Sequence, residues 1–414
     1  MTGAGRLLHN RYYVFYRTSR VTSVLGSRVS AIAYPLLILG IGGSAVEAGA
    51  LATCQMITAL ALKLPAGHVA DRFERRRVMI GMDLIRMVSV GSVPLAALLH
   101  GLTYPQLIAV AMIEGGGSAM FGPAAGVYLR GIVPKEQLNK ALSQTQATSG
   151  AMSLIGPTIG GVLYGVDRLL PFTVDAASYL ISAALLLGVC VSEPHPTDAT
   201  GDQRMTAGAR WLWHQARLMR VVLFTSVMNL LSATLTVVVI VSLREHGTSS
   251  SAIGVLLACV GCGGIAGSVL APRIVAVLGP ARLCLANGIV WAIGLAIFAA
   301  AFSPFVIGPV LALMFVLAPA AGIMLSRITL DEAPPHLLGR VSTAEQTVSL
   351  SLASLGPVVG GALLEGVGRT TLWLTLAALC LIATLIAIVP LLRPARPAAD
   401  GPRPGPVSAR AEHG

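Results

Sequence analysis

The chain has 414 residues, of which 55% are hydrophobic and only 11% are charged. Soluble domains carry about 25% charged residues, so this composition excludes an ordinary soluble fold. The formal net charge is +11, and its meaning depends on where the basic residues lie along the chain.

Apolar runs long enough to cross a bilayer recur along almost the whole chain. A transmembrane helix needs about 20 mostly apolar residues. The runs are continuous rather than alternating, which favours helices over the strands of a membrane barrel. The predicted spans are 18–40, 48–66, 78–99, 104–126, 141–163, 171–191, 220–243, 251–271, 282–302, 305–326, 343–364 and 371–392. The sequence therefore predicts an all-α polytopic membrane protein with twelve transmembrane helices.

One motif, Gly-Pro-x-x-Gly-Gly, occurs twice with an offset of 200 residues. The residues that define it are Gly156, Pro157, Gly160 and Gly161 in span 5, and Gly356, Pro357, Gly360 and Gly361 in span 11. Such a repeat predicts two pseudo-symmetric six-helix halves related by an axis along the membrane normal, with the substrate site between them. Proline bends a helix and glycine allows close helix contact, so we expect the motif to pack the halves together.

The repeat also predicts the domain boundaries. They are an N-terminal half over 1–191, a cytoplasmic linker with an interfacial helix over 192–216, a C-terminal half over 217–393 and a disordered cytoplasmic tail over 394–414. The linker ends in Trp211 and Trp213 beside cationic residues, a combination typical of the membrane–water interface. The tail is rich in Pro, Ala and Arg, which cannot form a packed core.

The basic residues predict the orientation. With the N-terminus inside, cytoplasmic segments hold 24 of the 29 Lys and Arg, and external loops hold only Arg168, Arg244 and Arg369. This bias places both termini in the cytoplasm and the chain in the plasma membrane. No secretory signal is evident in residues 1–16. Because the basic residues are spread over short loops and tails, we expect no nucleic-acid partner.

The six cysteines give no sign of metal or redox chemistry. They are Cys54, Cys190, Cys259, Cys262, Cys284 and Cys380, all in or at the end of predicted spans. A metal or redox site would need further ligands nearby, so we interpret them as small packing residues. We expect no metal and no cofactor.

The loop between spans 2 and 3 reads Gly67-His-Val-Ala-Asp71-Arg72-Phe-Glu-Arg75-Arg76-Arg77. It resembles the signature cytoplasmic loop of the major facilitator superfamily, and the length, spans and duplication agree. Within that superfamily the chain is similar to the bacterial macrolide-efflux and enterobactin-exporter branch of drug:proton antiporters. Asp83-Leu-Ile-Arg86, Phe121-Gly-Pro123 and Pro171-Phe-x-x-Asp175 contribute to this resemblance. Asp175 itself, near the outer end of span 6, is interpreted as a helix-start contact. The superfamily loop usually has a second glycine where this chain has Glu74.

The resemblance implies that this loop locks the halves on the cytoplasmic side in the outward-open state. The predicted gate comprises Gly67, Asp71, Arg72, Glu74, Arg75, Arg76, Asp83 and Arg86. Glycine lets a helix end, an aspartate can accept backbone N–H groups at a helix start, and the arginines can pair with the acids. The alternative is a loop that only sets topology. The second half lacks the device, since no acidic residue occurs between Glu245 and Asp331.

Two charges fall deep inside predicted spans, Arg28 in span 1 and Glu114 in span 4. Each is about ten residues from a span end, or roughly 15 Å into the bilayer. A charge at that depth is unfavourable unless it is paired or hydrated. We predict that Glu114 binds the coupling proton or that Arg28 binds an anionic substrate group. The alternative is a structural salt bridge between the two.

The superfamily resemblance implies that spans 1, 4, 7 and 10 line the central cavity. Apart from Arg220 at the cytoplasmic end of span 7, spans 7 and 10 contain no charged residue, and they offer Met228, Asn229, Met314 and Phe315. These residues predict an apolar, adaptable surface for the substrate in the C-terminal half. Glu345 and Gln346 in span 11 lie near the cytoplasmic end, where they are predicted to cap or gate.

The predicted function is secondary active transport: proton-coupled export of a small amphipathic compound, such as a drug, antibiotic or siderophore, by a monomer in the lipid bilayer. Export is implied by the resemblance, as is the association of the Gly-Pro motif with antiport. Import by proton symport is the alternative, and a membrane subunit or sensor is a third possibility. The chain has no Walker phosphate-binding loop and no catalytic cluster, so we expect neither ATP hydrolysis nor enzymatic activity.

Overall fold

The computed structural model describes Leu7 and residues 9–189, 205–334 and 337–391, and every element in them is a helix. In chain order the helices are α1 Arg11–Gly40, α2 Ala45–Arg72, α3 Arg75–Leu98, α4 Tyr104–Ile132, α5 Lys135–Val166, α6 Leu170–Leu187, α7 Met205–His214, α8 Ala216–Glu245, α9 Ser250–Ala300, α10 Pro304–Val316, α11 Ala318–Glu332, α12 Leu338–Val367 and α13 Arg369–Leu391. The all-α prediction is confirmed.

In the described part of the chain, ten helices are long and apolar enough to cross a membrane. The predicted number of twelve remains a prediction. The 51-residue helix α9 covers two predicted spans, and its backbone leaves the helical region at Gly279, where φ is 66°. Glycine tolerates this left-handed conformation, and Pro280 follows directly, so the chain turns there between the two spans. Helix α5 contains predicted span 5. It has 32 residues, which is long enough to cross a membrane, but it is not among the ten apolar helices.

Local sequence signals explain where α2 begins but not where it ends. Ser44 Oγ accepts a hydrogen bond from the Glu47 backbone N–H at 3.2 Å, and Glu47 Oε2 accepts one from the Ser44 N–H at 2.9 Å. This reciprocal cap fixes the start of α2. The expectation that Gly67 ends the helix was wrong, because α2 continues to Arg72. Asp71 is consequently in the last turn of α2 rather than at a helix start; its side chain lies outside the described residues.

The two halves meet through two helix pairs. Helix α5 packs against α9, and α2 packs against α12. Both pairs approach closely at the end where the external loops are predicted. There a Cβ at Gly161 would overlap the Ser250 carbonyl oxygen, and a Cβ at Gly361 would overlap that of Ala45. Glycine is required at both positions because backbone from the opposite half occupies the space.

The other glycines of the two motifs face their own half. A Cβ at Gly156 or Gly160 would overlap α1 at Arg28 or Val29, respectively. In the second copy, Gly356 and Gly360 pack in the same way against Leu230 and Thr234 of α8. Each repeat therefore holds a central helix of its own half and touches the other half through its last glycine. The carbonyl groups of Pro157 and Pro357 extend these contacts to Gly254 and Gly49.

Helix α7 occupies the end of the predicted linker. Leu212 is buried, whereas the Trp213 side chain is 78% exposed. Gly208 lies directly against Arg340 of α12, so the helix packs on the beginning of that span. Residues 192–204 of the linker and the whole predicted tail, 394–414, lie outside the described residues.

Candidate functional site

Buried polar side chains meet in the middle of the N-terminal half. They come from α1, α3, α4 and α6, four helices that pack on one another. We call this set, Tyr34, Arg86, Glu114, Asp175 and Tyr179, the N-half cluster. Their exposed fractions are 6% or less. Ionisable groups at this depth in a membrane helix bundle are rare and mark pathways for ions, protons or substrates.

Glu114 is the carboxylate at the centre of the N-half cluster. The Tyr34 hydroxyl donates to its Oε2 at 2.8 Å, and the Tyr179 hydroxyl donates to its Oε1 at 3.1 Å. Each carboxylate oxygen therefore has a tyrosine donor. Tyr34 is itself held by Phe172, whose ring lies edge-on at a centroid distance of 5.0 Å. This packing fixes the position of Glu114 from two sides.

Arg86 is the cation of the N-half cluster. Its Nη2 donates to the Tyr179 hydroxyl and, at 3.1 Å, to Ser27 Oγ. The guanidinium also stands over the Tyr179 ring, 4.1 Å from its centroid. Arg86 thus reaches Glu114 through one shared tyrosine, and cation–π attraction reinforces that position.

Asp175 is the second carboxylate of the N-half cluster. Ser30 Oγ donates to its Oδ2 at 2.6 Å, and the side chain is fully buried. A Cβ at Gly26 would lie only 2.6 Å from Asp175 Oδ1, so the small residue makes room for the carboxylate. Sequence reasoning had treated Asp175 as a weak helix-start contact. The structure instead buries it six residues into α6.

Arg28 is not the partner of Glu114. Its side chain is exposed, and no hydrogen bond or ion pair joins it to another residue in the described part of the chain. It lies on the side of α1 that faces Gly156 of α5. The arginine linked to Glu114, through Tyr179, is Arg86 from α3, which the sequence had assigned to the gate.

The predicted gate residues have separate contacts. Glu74 pairs with Arg77 at 2.5 Å, whereas Arg76 donates to the carbonyl oxygens of Leu186 and Leu187 at the end of α6. Arg72 is exposed and Arg75 is buried. Helix ends attract cations, so Arg76 ties α3 to α6 within one half.

The predicted Asp83–Arg86 pair is absent. Asp83 instead accepts a hydrogen bond from Ser182 Oγ at 2.6 Å, and Arg86 points to Tyr179. Asp83 on α3 and Asp175 on α6 therefore accept hydrogen bonds from serine hydroxyl groups on neighbouring helices, and Asp83 Oδ1 has no hydrogen-bond partner in the described part of the chain. The role of these residues as a cytoplasmic gate stays a prediction.

A cavity of about 600 Å³ lies among the helices of the C-terminal half, and we call it the C-half cavity. It is lined by α8, the second section of α9, α10, α11 and the beginning of α12, and Met228, Asn229 and Phe315 are in its wall. Met314 is not: it is fully buried, and its carbonyl oxygen accepts the Trp291 indole N–H at 2.8 Å. Glu345 and Gln346, which we had predicted to cap or gate, line the cavity.

Replacing Arg86 by Met is expected to destabilise the protein by about 3–5 kcal/mol, because it leaves buried carboxylates without their cation. Thermal denaturation in detergent, followed by size-exclusion chromatography, measures the change. Arg77→Met is the control, since its side chain is 84% exposed and its ion pair contributes at most about 1 kcal/mol. Equal denaturation midpoints for the two variants would contradict a structural role of the buried cation.

Two paired helical halves, with a buried acid–base cluster in one and a drug-sized cavity in the other, have the architecture of a membrane transporter. The chain belongs to the Major Facilitator Superfamily, whose family model matches residues 18–349 and 222–411. The resemblance predicted from the sequence is confirmed, and the chain is a transporter rather than an enzyme.

Relatives of this chain include two kinds of efflux protein. The multidrug efflux pump Tap of Mycobacterium tuberculosis is 26% identical over 402 residues, which cover 92% of this chain and 94% of that protein. Macrolide efflux protein A of Enterococcus faecalis is 29% identical over 103 residues, which cover 25% of this chain and 32% of that protein.

Solved structures share the fold. The nucleoside transporter NupG superposes with a TM-score of 0.74 at 13% identity, covering 93% of this chain and 100% of that one. A bacterial homologue of the iron transporter ferroportin, in an inward-facing state, gives a TM-score of 0.74 at 15% identity over 94% of this chain and 100% of that chain. At these identities the likeness concerns the fold alone.

Proposed function

We propose that this protein is a monomeric secondary transporter of the plasma membrane that exports a small amphipathic compound in exchange for protons. The observation that carries the proposal is the N-half cluster, which contains two buried carboxylates, Glu114 and Asp175, and a single guanidinium, that of Arg86. Such a cluster is neutral only when one carboxyl group holds a proton, and buried net charge is strongly unfavourable. Similarity to Tap over nearly the whole chain supports the direction of transport.

The cavity and the contacts between the halves support alternating access. The glycine contacts of the halves lie at the predicted external end, whereas the cavity is lined by the predicted cytoplasmic parts of α8, α11 and α12. With the orientation predicted from the basic residues, this is an inward-facing conformation. A compound would enter the cavity from the cytoplasm or the inner leaflet. Proton binding and release at the N-half cluster would then be coupled to the exchange between inward- and outward-facing states.

Transport into everted membrane vesicles tests this function. A panel of antibiotics and siderophores is offered to vesicles that contain or lack the protein, after the vesicle lumen has been acidified so that the proton gradient is directed outward. We expect protein-dependent accumulation of at least one amphipathic compound, and we expect a protonophore to abolish it. Accumulation only in right-side-out vesicles would contradict export, and accumulation that is insensitive to the protonophore would contradict proton coupling.

A further inference from the structure

A carboxylate without a cation partner lies in the wall of the C-half cavity. Glu345 on α12 is 6% exposed, and the Thr329 hydroxyl donates to its Oε1 at 2.7 Å. No ion pair to Glu345 occurs among the residues that the structure describes. Lys63 of the N-terminal half comes near, but its Nζ is held by Gln346 Oε1 at 3.2 Å. Because burying an unpaired carboxylate is unfavourable, a cationic ligand would complete this site.

A second hydrogen-bond acceptor lines the same cavity. Asn287 on α9 is 3% exposed, and its Oδ1 has no hydrogen-bond partner within the described ranges. Buried polar atoms are almost always hydrogen-bonded, so an orphaned acceptor in a cavity wall points to a donor supplied by a ligand. Glu345 and Asn287 both accept hydrogen bonds, and a ligand that satisfies them must bring N–H or O–H groups.

Aromatic rings provide the apolar part of the cavity. Trp291 lies one helical turn after Asn287, and its ring is tilted against Phe315 at a centroid distance of 5.3 Å. The Trp291 N–H is already used by the Met314 carbonyl, so this side chain offers the cavity its apolar surface. Aromatic faces attract cations and stack on apolar groups. The volume of about 600 Å³ is that of a site for a drug-sized molecule.

We propose that the C-half cavity is a recognition subsite for protonated amphipathic amines, with Glu345 as the counter-ion, Asn287 as a second acceptor, and Trp291 and Phe315 as the surface for the apolar body. The proposal names a substrate class for the exporter proposed above and rests on that function for its physiological meaning. Recognition itself needs no proton gradient, so equilibrium binding tests it separately from transport.

The experiment uses the full-length protein in nanodiscs of zwitterionic lipid at pH 7, with empty nanodiscs to subtract partitioning into lipid. Three probes share one aromatic body: N,N-dimethyl-2-naphthylmethylamine, its N-methylated quaternary salt, and 2-naphthylmethanol. We expect the protonated amine to bind roughly tenfold more tightly than the alcohol, because charge-assisted hydrogen bonds are stronger than neutral ones. The quaternary salt, which has charge but no N–H donor, is expected to fall between them.

Glu345→Gln is expected to remove the preference for the amine and to leave binding of the alcohol unchanged. The matched control is Asp331→Asn, which makes the same chemical change at an exposed position outside the cavity and should retain the preference. Asn287→Asp, which adds a second carboxylate of nearly the same shape, should increase the preference. If Glu345→Gln fails to elute as a folded monomer, Asn287→Asp tests the subsite instead: an increased amine preference supports it, and an unchanged preference overturns it.

Equal binding of all three probes by the wild type would overturn the subsite, as would an amine preference that persists in Glu345→Gln or disappears in Asp331→Asn. These outcomes differ from a failure of the proposed function. Amine selection without proton-driven transport would overturn the exporter and leave the subsite in place. Protonophore-sensitive transport without amine selection would overturn the subsite and leave the proposed exporter in place.

Discussion

Glu114→Gln is expected to reduce proton-driven accumulation in everted vesicles to the level of vesicles that lack the protein. Glutamine keeps the size of the side chain; its amide oxygen can accept from one of the two tyrosines that bond Glu114, and its NH2 group can donate to the hydroxyl of the other. It cannot bind and release a proton, so the cluster loses one of its two titratable carboxyl groups. Initial rates of accumulation, measured with and without a protonophore, show the change directly.

Two further measurements separate coupling from folding in the Glu114 experiment. Exchange of labelled for unlabelled substrate across the membrane needs no proton gradient, so we expect it to survive in Glu114→Gln. The control Glu136→Gln changes an exposed carboxylate in the first turn of α5 and should transport like the wild type. Undiminished and still protonophore-sensitive accumulation by Glu114→Gln would show that proton coupling occurs elsewhere.

The membrane-spanning architecture could be predicted from the sequence because apolar runs of about 20 residues have no other stable solution in a bilayer. Glu114 could be singled out for the same reason, since a charged residue is easily recognised in an otherwise apolar run. The arginine linked to Glu114 could not be predicted from the sequence. Whether Arg28 or Arg86 faces Glu114 depends on the rotation of each helix about its axis, and the sequence of one helix does not fix that rotation relative to another.

A signal for the cluster was nevertheless present in the chain. On α6, Asp175, Ser178, Tyr179 and Ser182 follow the spacing of one helical face, and all are buried. A polar stripe on an otherwise apolar membrane helix indicates a face turned toward the interior of the bundle. Reading α6 in this way would have moved Asp175 from a helix-start contact into the candidate site.

The C-half cavity was predicted only in part, because sequence reasoning considered spans 7 and 10 alone. Those spans supply Asn229 and Phe315, but the carboxylate comes from span 11 and the orphaned amide from span 9. Met314 and Phe315 are neighbours in sequence, and on a helix neighbours point about 100° apart. One therefore lines the cavity while the other is buried against Gly294.

Gly161→Val is expected to shift the protein from the inward-facing toward the outward-facing conformation. A Cβ at this position would overlap the Ser250 carbonyl oxygen of the opposite half, so the contact between α5 and α9 could not close. Overpacking typically costs about 1–3 kcal/mol. An energy of that size changes the ratio of two conformations by roughly 5- to 150-fold.

Spin labels at the exposed positions Val166 and Phe305, in a background without cysteines, report the separation of the halves at the predicted external end. The longer distance should become more populated in Gly161→Val. The repeat supplies an independent copy of the test, because Gly361→Val introduces the same overlap with the Ala45 carbonyl and should act in the same direction. Gly150→Val, on the same helix as Gly161 but with open space around its Cβ, is the control.

The glycine just before Gly161 distinguishes conformational control from simple packing. Gly160 faces Val29 of its own half, so Gly160→Val should lower thermal stability without changing the distance between the labels. If both variants lowered stability and neither changed the distance, the Gly-Pro-x-x-Gly-Gly motif would serve folding alone. A distance change confined to Gly161→Val and Gly361→Val would instead mean that one motif performs two tasks. Its first two glycines build each half, and its last glycine sets how closely the halves approach on the external side.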